Sequence, residues 1–558
     1  MRISRVCLFL TVYIGLLSVV SANAQLPQCS DQGTWSPQAF LPGAVVLMSS
    51  PLLLTDGRVM AQYITGLSTG DPWQDWYALT PSITGCYSRN SADCVGGHTA
   101  TWSELASISS VTNLYGPAAF ASAVLPDGNV IIEGGEDNFG ARVEYNGGAY
   151  YDSGANTWVT VNPPSGWKYI GDAPSVVLAD GTFMLGNACG NFHGSGMTAL
   201  FDEASMSWTA MQPPPEWTSE AGFTLLPDDS VLFVGTCWPG QAANHTCTTS
   251  ANPLNSVAYN ATTGTWGTLG STIEQLYSYD TPPGTVGANS CFAHQPIFGE
   301  QGPAALLPTG KYFATGGYNA TANVVYTSVY DTATSTWAGS PPLPSVKIGA
   351  STYPLTAEDQ GSVVLPDGNL LLATRARIAA HDDSGPYYIE WNGKTGYCQL
   401  NSLPAGLPGQ AEMLTLPTGQ ILITGVSWGS TPRNYFIYTP GGVPYPGIEP
   451  ATTSVPSTIA RGGTYTVSGL QFNGATQSSF FGDDFQNATN YPLVRITNAS
   501  GRVFYAKTHN PSTMAVATGA TTVSTMFDVP TATELGSSTL VVVANGIESK
   551  PVAVTVVP

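Results

Sequence analysis

The sequence predicts an all-β protein, a seven-bladed β-propeller followed by an immunoglobulin-like β-sandwich. Three observations carry this expectation. A hairpin motif recurs seven times, a second aromatic motif falls between successive copies, and both stop near Gly441, where a different strand pattern begins. The composition agrees: 61 Gly and 42 Pro, with only 10% charged residues, suit short strands joined by tight turns.

Each hairpin is an apolar run, a Pro/Thr-Asp/Thr-Gly type of turn and a second apolar run. The copies are LLLTDGRVMAQ (52–62), AVLPDGNVIIEGG (123–135), VVLADGTFMLGN (176–187), TLLPDDSVLFVG (224–235), ALLPTGKYFATGG (305–317), VVLPDGNLLLAT (363–374) and LTLPTGQILITG (414–425). Asp-Gly or Thr-Gly between apolar runs supplies the positive φ that a tight reversal needs.

Between hairpins stands an aromatic residue followed seven residues later by Trp, as in YDSGANTW (151–158), FDEASMSW (201–208), YNATTGTW (259–266) and YDTATSTW (330–337), with WNGKTGY (391–397) as a variant. A second hairpin here gives every repeat four strands, which makes a kelch-type blade. The last repeat reaches Tyr435–Tyr438 without a following Trp, while Gly33-Thr34-Trp35 stands alone before the first hairpin. The N-terminal segment is therefore expected to supply the outer strand of blade seven, because closing the ring removes an exposed sheet edge.

The spacing of the turns is longest from 57 to 128 and from 229 to 310, and these insertions hold Cys86/Cys94 and Cys237/Cys247. Disulfides restraining long loops fit that placement, and long loops commonly build a binding face. From Gly441 on, Tyr465–Gly469, Leu493–Thr497, Val503–Lys507, Ser524–Val529, Thr539–Ala544 and Val552–Val556 read as strands of a sandwich.

Residues 1–24 read as a secretory leader, with Arg2 and Arg5, an apolar run from Val6 to Val20 and the small-x-small site Ala22-Asn23-Ala24. No later stretch approaches ~20 apolar residues, so no membrane anchor is expected. The organisation is then a leader (1–24), a propeller (25–440) and a sandwich (441–558), in a protein secreted to the periplasm or beyond. Apart from Cys7 in the leader, the cysteines are even in number, as an exported disulfide protein requires. Pairing among Cys29, Cys189, Cys291 and Cys398 stays open. The net charge of −20 argues against nucleic acid and anionic membranes as partners.

A propeller followed by a sandwich resembles galactose oxidase and glyoxal oxidase, secreted copper-radical enzymes, over nearly all of the mature chain. GLQFNGATQSSFFGDDFQNATNYPLVRITN (469–498) and VFYAKTHNPSTMAVATG (503–519) are similar to bacterial kelch proteins that carry an early-set domain of this type. The resemblance implies copper held by two histidines and two tyrosines, one of them cross-linked to a cysteine. One of those histidines is borne on a sandwich loop that reaches into the propeller. Counted from the turns, the Tyr-His pair would fall at Gly409-Gln410, the cross-linked tyrosine at Asp172 and the cysteine near Ala119; only the sandwich histidine is matched, by His509. One histidine holds copper poorly, so copper is not expected.

The positions that begin each innermost strand carry other chemistry. Tyr115 precedes hairpin two, Asp172 hairpin three, Glu220 hairpin four, Glu300 and Gln301 hairpin five, Glu358-Asp359-Gln360 hairpin six, and Gln410 and Glu412 hairpin seven. Equivalent positions should converge on one mouth of the axial channel. Carboxylates and amides there could hold Ca²⁺, sugar hydroxyls or an ammonium group, or could simply tie neighbouring blades together. Trp217, Trp238 and Tyr277 lie in loops and could stack on sugar rings, and His509 reads either as an axial residue or as one that docks the sandwich. The expected function is non-catalytic binding of carbohydrate or another cell-envelope ligand by a monomer. The alternatives are a galactose oxidase-like oxidoreductase with a divergent metal site around His509, and a hydrolase or lyase using Glu358 and Glu412.

Overall fold

The computed structural model describes residues 26–30, 32–39, 47–64, 73–188, 196–216, 218, 221–235, 255–276, 284–285, 296–297, 301–379, 382–393, 396–426, 435–482 and 485–558. Trp217, Glu220, Trp238, Tyr277, Glu300, the leader and Cys189, Cys237, Cys247 and Cys291 lie outside the described residues.

The seven repeats form seven antiparallel four-stranded blades, six as separate sheets and the sixth blade within a larger one. Blade two shows the pattern, with Ala121–Val124, Val130–Glu133, Gly148–Asp152 and Thr157–Val161 paired in sequence order from the axis outward. At the hairpin turns Gly57, Gly128, Gly181, Gly310, Gly368 and Gly419 take φ between 75° and 92°, and Asp229 takes φ 65° in blade four. Each aromatic motif pairs its two rings across the strands, as Tyr151 with Trp158 at 5.0 Å and Tyr330 with Trp337 at 5.3 Å. The indole N–H then reaches back to the preceding blade or its connection: Trp158 donates to the Ala106 carbonyl at 2.7 Å, Trp208 to Asn162 at 2.8 Å and Trp266 to Gln212 at 3.1 Å. The repeated Trp is thus a peg between blades, which satisfies its N–H while burying the ring.

Thr34–Gln38 pairs antiparallel with Tyr435–Thr439 as the outer strand of blade seven, as the orphan Thr34-Trp35 predicted. The ring is also closed a second time: Cys29 forms a disulfide with Cys398, on the outer strand of blade six. Cys86 and Cys94 are joined within their loop.

Beyond Gly441 the strands build two sheets that share Val503–His509: its first half pairs with Leu493–Asn498 and its last residues with Thr522–Asp528. Ile459, Val467, Val494, Ile496, Phe527, Leu540, Val542 and Val554 fill the space between them. The six strands read from the sequence are present, and Ala451–Ser454, Thr458–Ala460 and Ile547–Glu548 add to them. Among the described residues no helix is long and apolar enough to cross a membrane.

The sandwich sits on the face of the ring formed by the hairpin turns. Thr508 N donates to the Thr55 carbonyl, Asn510 N to Pro126, Met514 N to Ala179 and Tyr445 N to Pro366, at 3.3, 2.7, 2.9 and 2.8 Å. Part of the sandwich, residues 477–482 and 485–491, leaves this face and fills the axis. Gln477 accepts from Leu225 N in blade four at 2.8 Å, the Ser478 carbonyl accepts from Val364 N in blade six, and the Ser478 hydroxyl bonds Thr415 in blade seven. Ser479–Phe480 pairs with the innermost strand of blade six, Asn487 and Tyr491 donate to Pro51 and Leu53 of blade one, and Phe485 packs edge-on against Phe120 beside blade two. Between this part of the sandwich and blades two and three lies a void of about 10 Å³, at the lower limit for one water molecule.

Candidate functional site at the axial mouth

The described sequence-predicted residues of the ring fall at the opposite mouth, away from the hairpin turns. Most of its polar side chains hold the blades to one another. Glu412, in the innermost strand of blade seven, accepts from the Ser49 hydroxyl at 3.0 Å and from Ser50 N in blade one. Its burial outweighs these bonds and pushes its pKa up to about 7. Gln360 bridges from blade six to blade seven, donating to the Gly409 carbonyl and accepting from Ala411 N, both at 3.2 Å. Gln301 donates to the Val234 and Gly235 carbonyls of blade four, and Gln62 of blade one donates to Pro117 beside blade two.

Glu358 has a larger share of partners. It accepts from Tyr318 N in blade five at 2.5 Å and forms an ion pair with Arg377 at 3.3 Å, in which both side chains are buried. The Arg377 guanidinium lies 5.4 Å from the centre of the Tyr318 ring, and Arg375 donates to the Glu358 carbonyl. A fully paired buried carboxylate of this kind is poorly placed to act as a general acid or base. Asp359 is half-buried with φ 49°, and Gln410 is half-buried opposite Val426.

Blade two differs. Tyr115 is buried and stacks on Tyr145 at 5.7 Å, and among the described residues its hydroxyl has no hydrogen-bond partner. Beside it, Glu133 is wholly buried, and neither of its carboxyl oxygens has a hydrogen-bond partner among the described residues. Its place is made by glycine: a Cβ on Gly148, directly across the strands, would stand 2.2 Å from Glu133 Oε1. Burial pushes the Glu133 pKa well above the carboxylate range, and burial together with Glu133 pushes up that of Tyr115. Asp172, in the connection from blade two to blade three, and Glu144 are also buried, with the Glu144 carboxylate close to Gly171. Sequence reasoning singled out Tyr115 and Asp172 but passed over Glu133.

His509 lies away from the mouth. Its ring is 3.3 Å from Asp528 on the adjoining sandwich strand, next to the Asn510–Pro126 contact with the turn of blade two. It belongs to the docking face, and the segment that fills the axis contains no histidine. Among the described residues the histidines are His98 and His509, while His193, His245, His294 and His381 lie outside them. Among the described residues, too, one group of three His, Cys, Asp or Glu side chains has donor atoms close enough to share an ion: Cys29, Glu390 and Cys398. Asp172, Glu358, Asp359 and Glu412 are not gathered into a cage of that size.

No family model and no curated protein matches the sequence. Among solved structures, the chain is similar to a fungal alcohol oxidase with catalytic diversity among the AA5 family, in complex with copper. The identity is 13% and the TM-score 0.46, with 95% of this chain and 100% of that chain covered. A likeness this distant transfers neither residues nor a reaction.

Proposed function

We propose that this chain is an exported kelch-type propeller that binds a carbohydrate or another hydroxyl-rich cell-envelope ligand at its axial mouth, on the side of blades two and three. The observation that carries this reading is the Glu133–Tyr115 pair. Leaving a buried polar group without a partner costs about 1–3 kcal/mol, and here both oxygens of a carboxyl and a neighbouring phenol hydroxyl incur it together, whereas Glu358 and Glu412 are hydrogen-bonded to a neighbouring blade. A carboxyl and a phenol side by side offer hydrogen-bonding groups that suit hydroxyls.

A second reading is a galactose oxidase-like oxidoreductase with a divergent metal site. It is favoured by the sandwich segment that fills the axis, an arrangement the resemblance implies. One experiment separates the two. The exported protein is incubated with copper and dialysed. Its metal content, its peroxide release on galactose, glyoxal and simple alcohols, and its glycan binding are then measured. Binding predicts no retained copper, no peroxide and a glycan signal that falls at least tenfold in Glu133→Gln and Tyr115→Phe. Stoichiometric copper with peroxide would instead establish the oxidase.

A further inference from the structure

The cluster of Cys29, Glu390 and Cys398 stands apart from the mouth, and its chemistry is independent of the function proposed above. Cys29 lies on the N-terminal arm, Cys398 on the outer strand of blade six and Glu390 directly across from Cys398 on the neighbouring strand. Their donor atoms all lie within 4.8 Å of one another. Cys29 and Glu390 are buried, and Asn369 donates to Glu390 Oε2 at 3.3 Å, which fixes the carboxylate beside the two sulfurs. In the oxidised chain the sulfurs are bonded to each other.

We propose that when a thiol reductant opens this disulfide, Cys29, Cys398 and Glu390 form a site for a thiophilic divalent cation such as zinc or cadmium. In the first step two thiols of the reductant are oxidised to a disulfide, and the protein disulfide takes up two electrons and two protons to become two thiols. In the second step the cation binds both sulfurs as thiolates, and two protons are released. Two thiolates and one carboxylate are a donor set that selects zinc-like ions over calcium or magnesium, and water completes a four-coordinate shell. The cation also removes the repulsion that three anionic groups would suffer in a buried space.

The site gives the ring a clasp that does not depend on the covalent bond. Without disulfide or metal, the arm before residue 32 is held to blade six by the backbone bonds of Cys29 N to Gln399 O and of Gln399 N to Pro27 O. With metal bound, the arm that leads into the closing strand Thr34–Gln38 remains anchored.

The test uses the full mature chain, reduced with dithiothreitol, desalted without oxygen and titrated with cadmium, which reports thiolate binding by charge-transfer absorbance. Reduction also opens Cys86–Cys94, so the site is read as a difference. The parent is expected to bind one more equivalent than Cys29→Ser/Cys398→Ser. Glu390→Gln, which keeps both thiols and still forms the disulfide, is expected to bind that equivalent at least tenfold more weakly. Equal stoichiometry in the parent and the double-serine variant would overturn the proposal, and so would unchanged affinity in Glu390→Gln.

Discussion

On the turn face, the sandwich is held by backbone groups: the Thr55, Pro126, Ala179 and Pro366 carbonyls of four hairpin turns each accept one N–H. On the mouth face, blades are joined by side chains, and almost every blade uses a different one: Gln62, Gln301, Glu358, Gln360 and Glu412. Repeated turns offer the same carbonyl whatever side chain they carry, so a partner can dock there without demanding particular residues. The mouth depends on residue identity, which is why individual chemistry concentrates at that end. Between the two faces run residues 477–482 and 485–491, which belong to the sandwich but are packed by the propeller.

The axial segment is where the comparison breaks most easily. Phe481 and Phe485 are buried and lie 5.1 Å apart, and Phe485 meets Phe120. Truncating a buried phenylalanine to alanine costs about 3–5 kcal/mol. The variants Phe481→Ala and Phe485→Ala should therefore lower the melting temperature of the whole chain, with propeller and sandwich losing structure in a single transition. If docking on the turn face alone joined them, a calorimetric scan would show two separated transitions with the propeller unchanged.

The next effect comes from the mouth and depends on pH. Glu412 has its pKa raised from 4.5 to about 7 in the folded chain, mainly by burial. Above the unfolded value the folded chain binds more protons at this site, so its contribution to stability falls as pH rises from about 4.5 to about 7, then stays level. The shift corresponds to ~3 kcal/mol across that window. Urea unfolding at pH 5 and pH 8 should show this decline in the parent. In Glu412→Gln, which retains a carbonyl oxygen for Ser50 N, the decline should be smaller by that amount. An identical pH slope in both proteins would sink the assignment. Glu133 moves in the same direction, so Glu133→Gln should also flatten the profile.

Much of this architecture could be read from the sequence because its determinants are local. Asp-Gly turns between apolar runs, the paired aromatics and the unpartnered Thr34-Trp35 each act over a few residues, and together they specified blades and ring closure. Side-chain partners could not be read in the same way. Glu412 meets Ser49 across 363 residues and Cys29 meets Cys398 across 369, distances at which spacing carries no information. His509 matched the histidine implied by the resemblance, yet its strand ends on the docking face while another segment takes the axis. Glu133 had a signal that alignment of the turns exposes. The equivalent positions hold Gln62, Gly186, Val234, Thr315, Ala373 and Thr424, so one repeat alone places an ionisable group there.

The smallest effect tests the turn face itself. Lys507, on the shared sandwich strand, donates to the Asn129 side chain beside the turn of blade two at 3.2 Å. A single partly buried hydrogen bond of this kind contributes about 0.5–1.5 kcal/mol. If backbone carbonyls do the docking, Lys507→Met should cost no more than ~1 kcal/mol and leave the single unfolding transition intact, because its aliphatic stem still covers the same surface. A loss as large as that of Phe485→Ala, or a split transition, would mean that side-chain identity governs the turn face as well. The contrast between a residue-tolerant docking face and a residue-specific mouth would then fail at its simpler end.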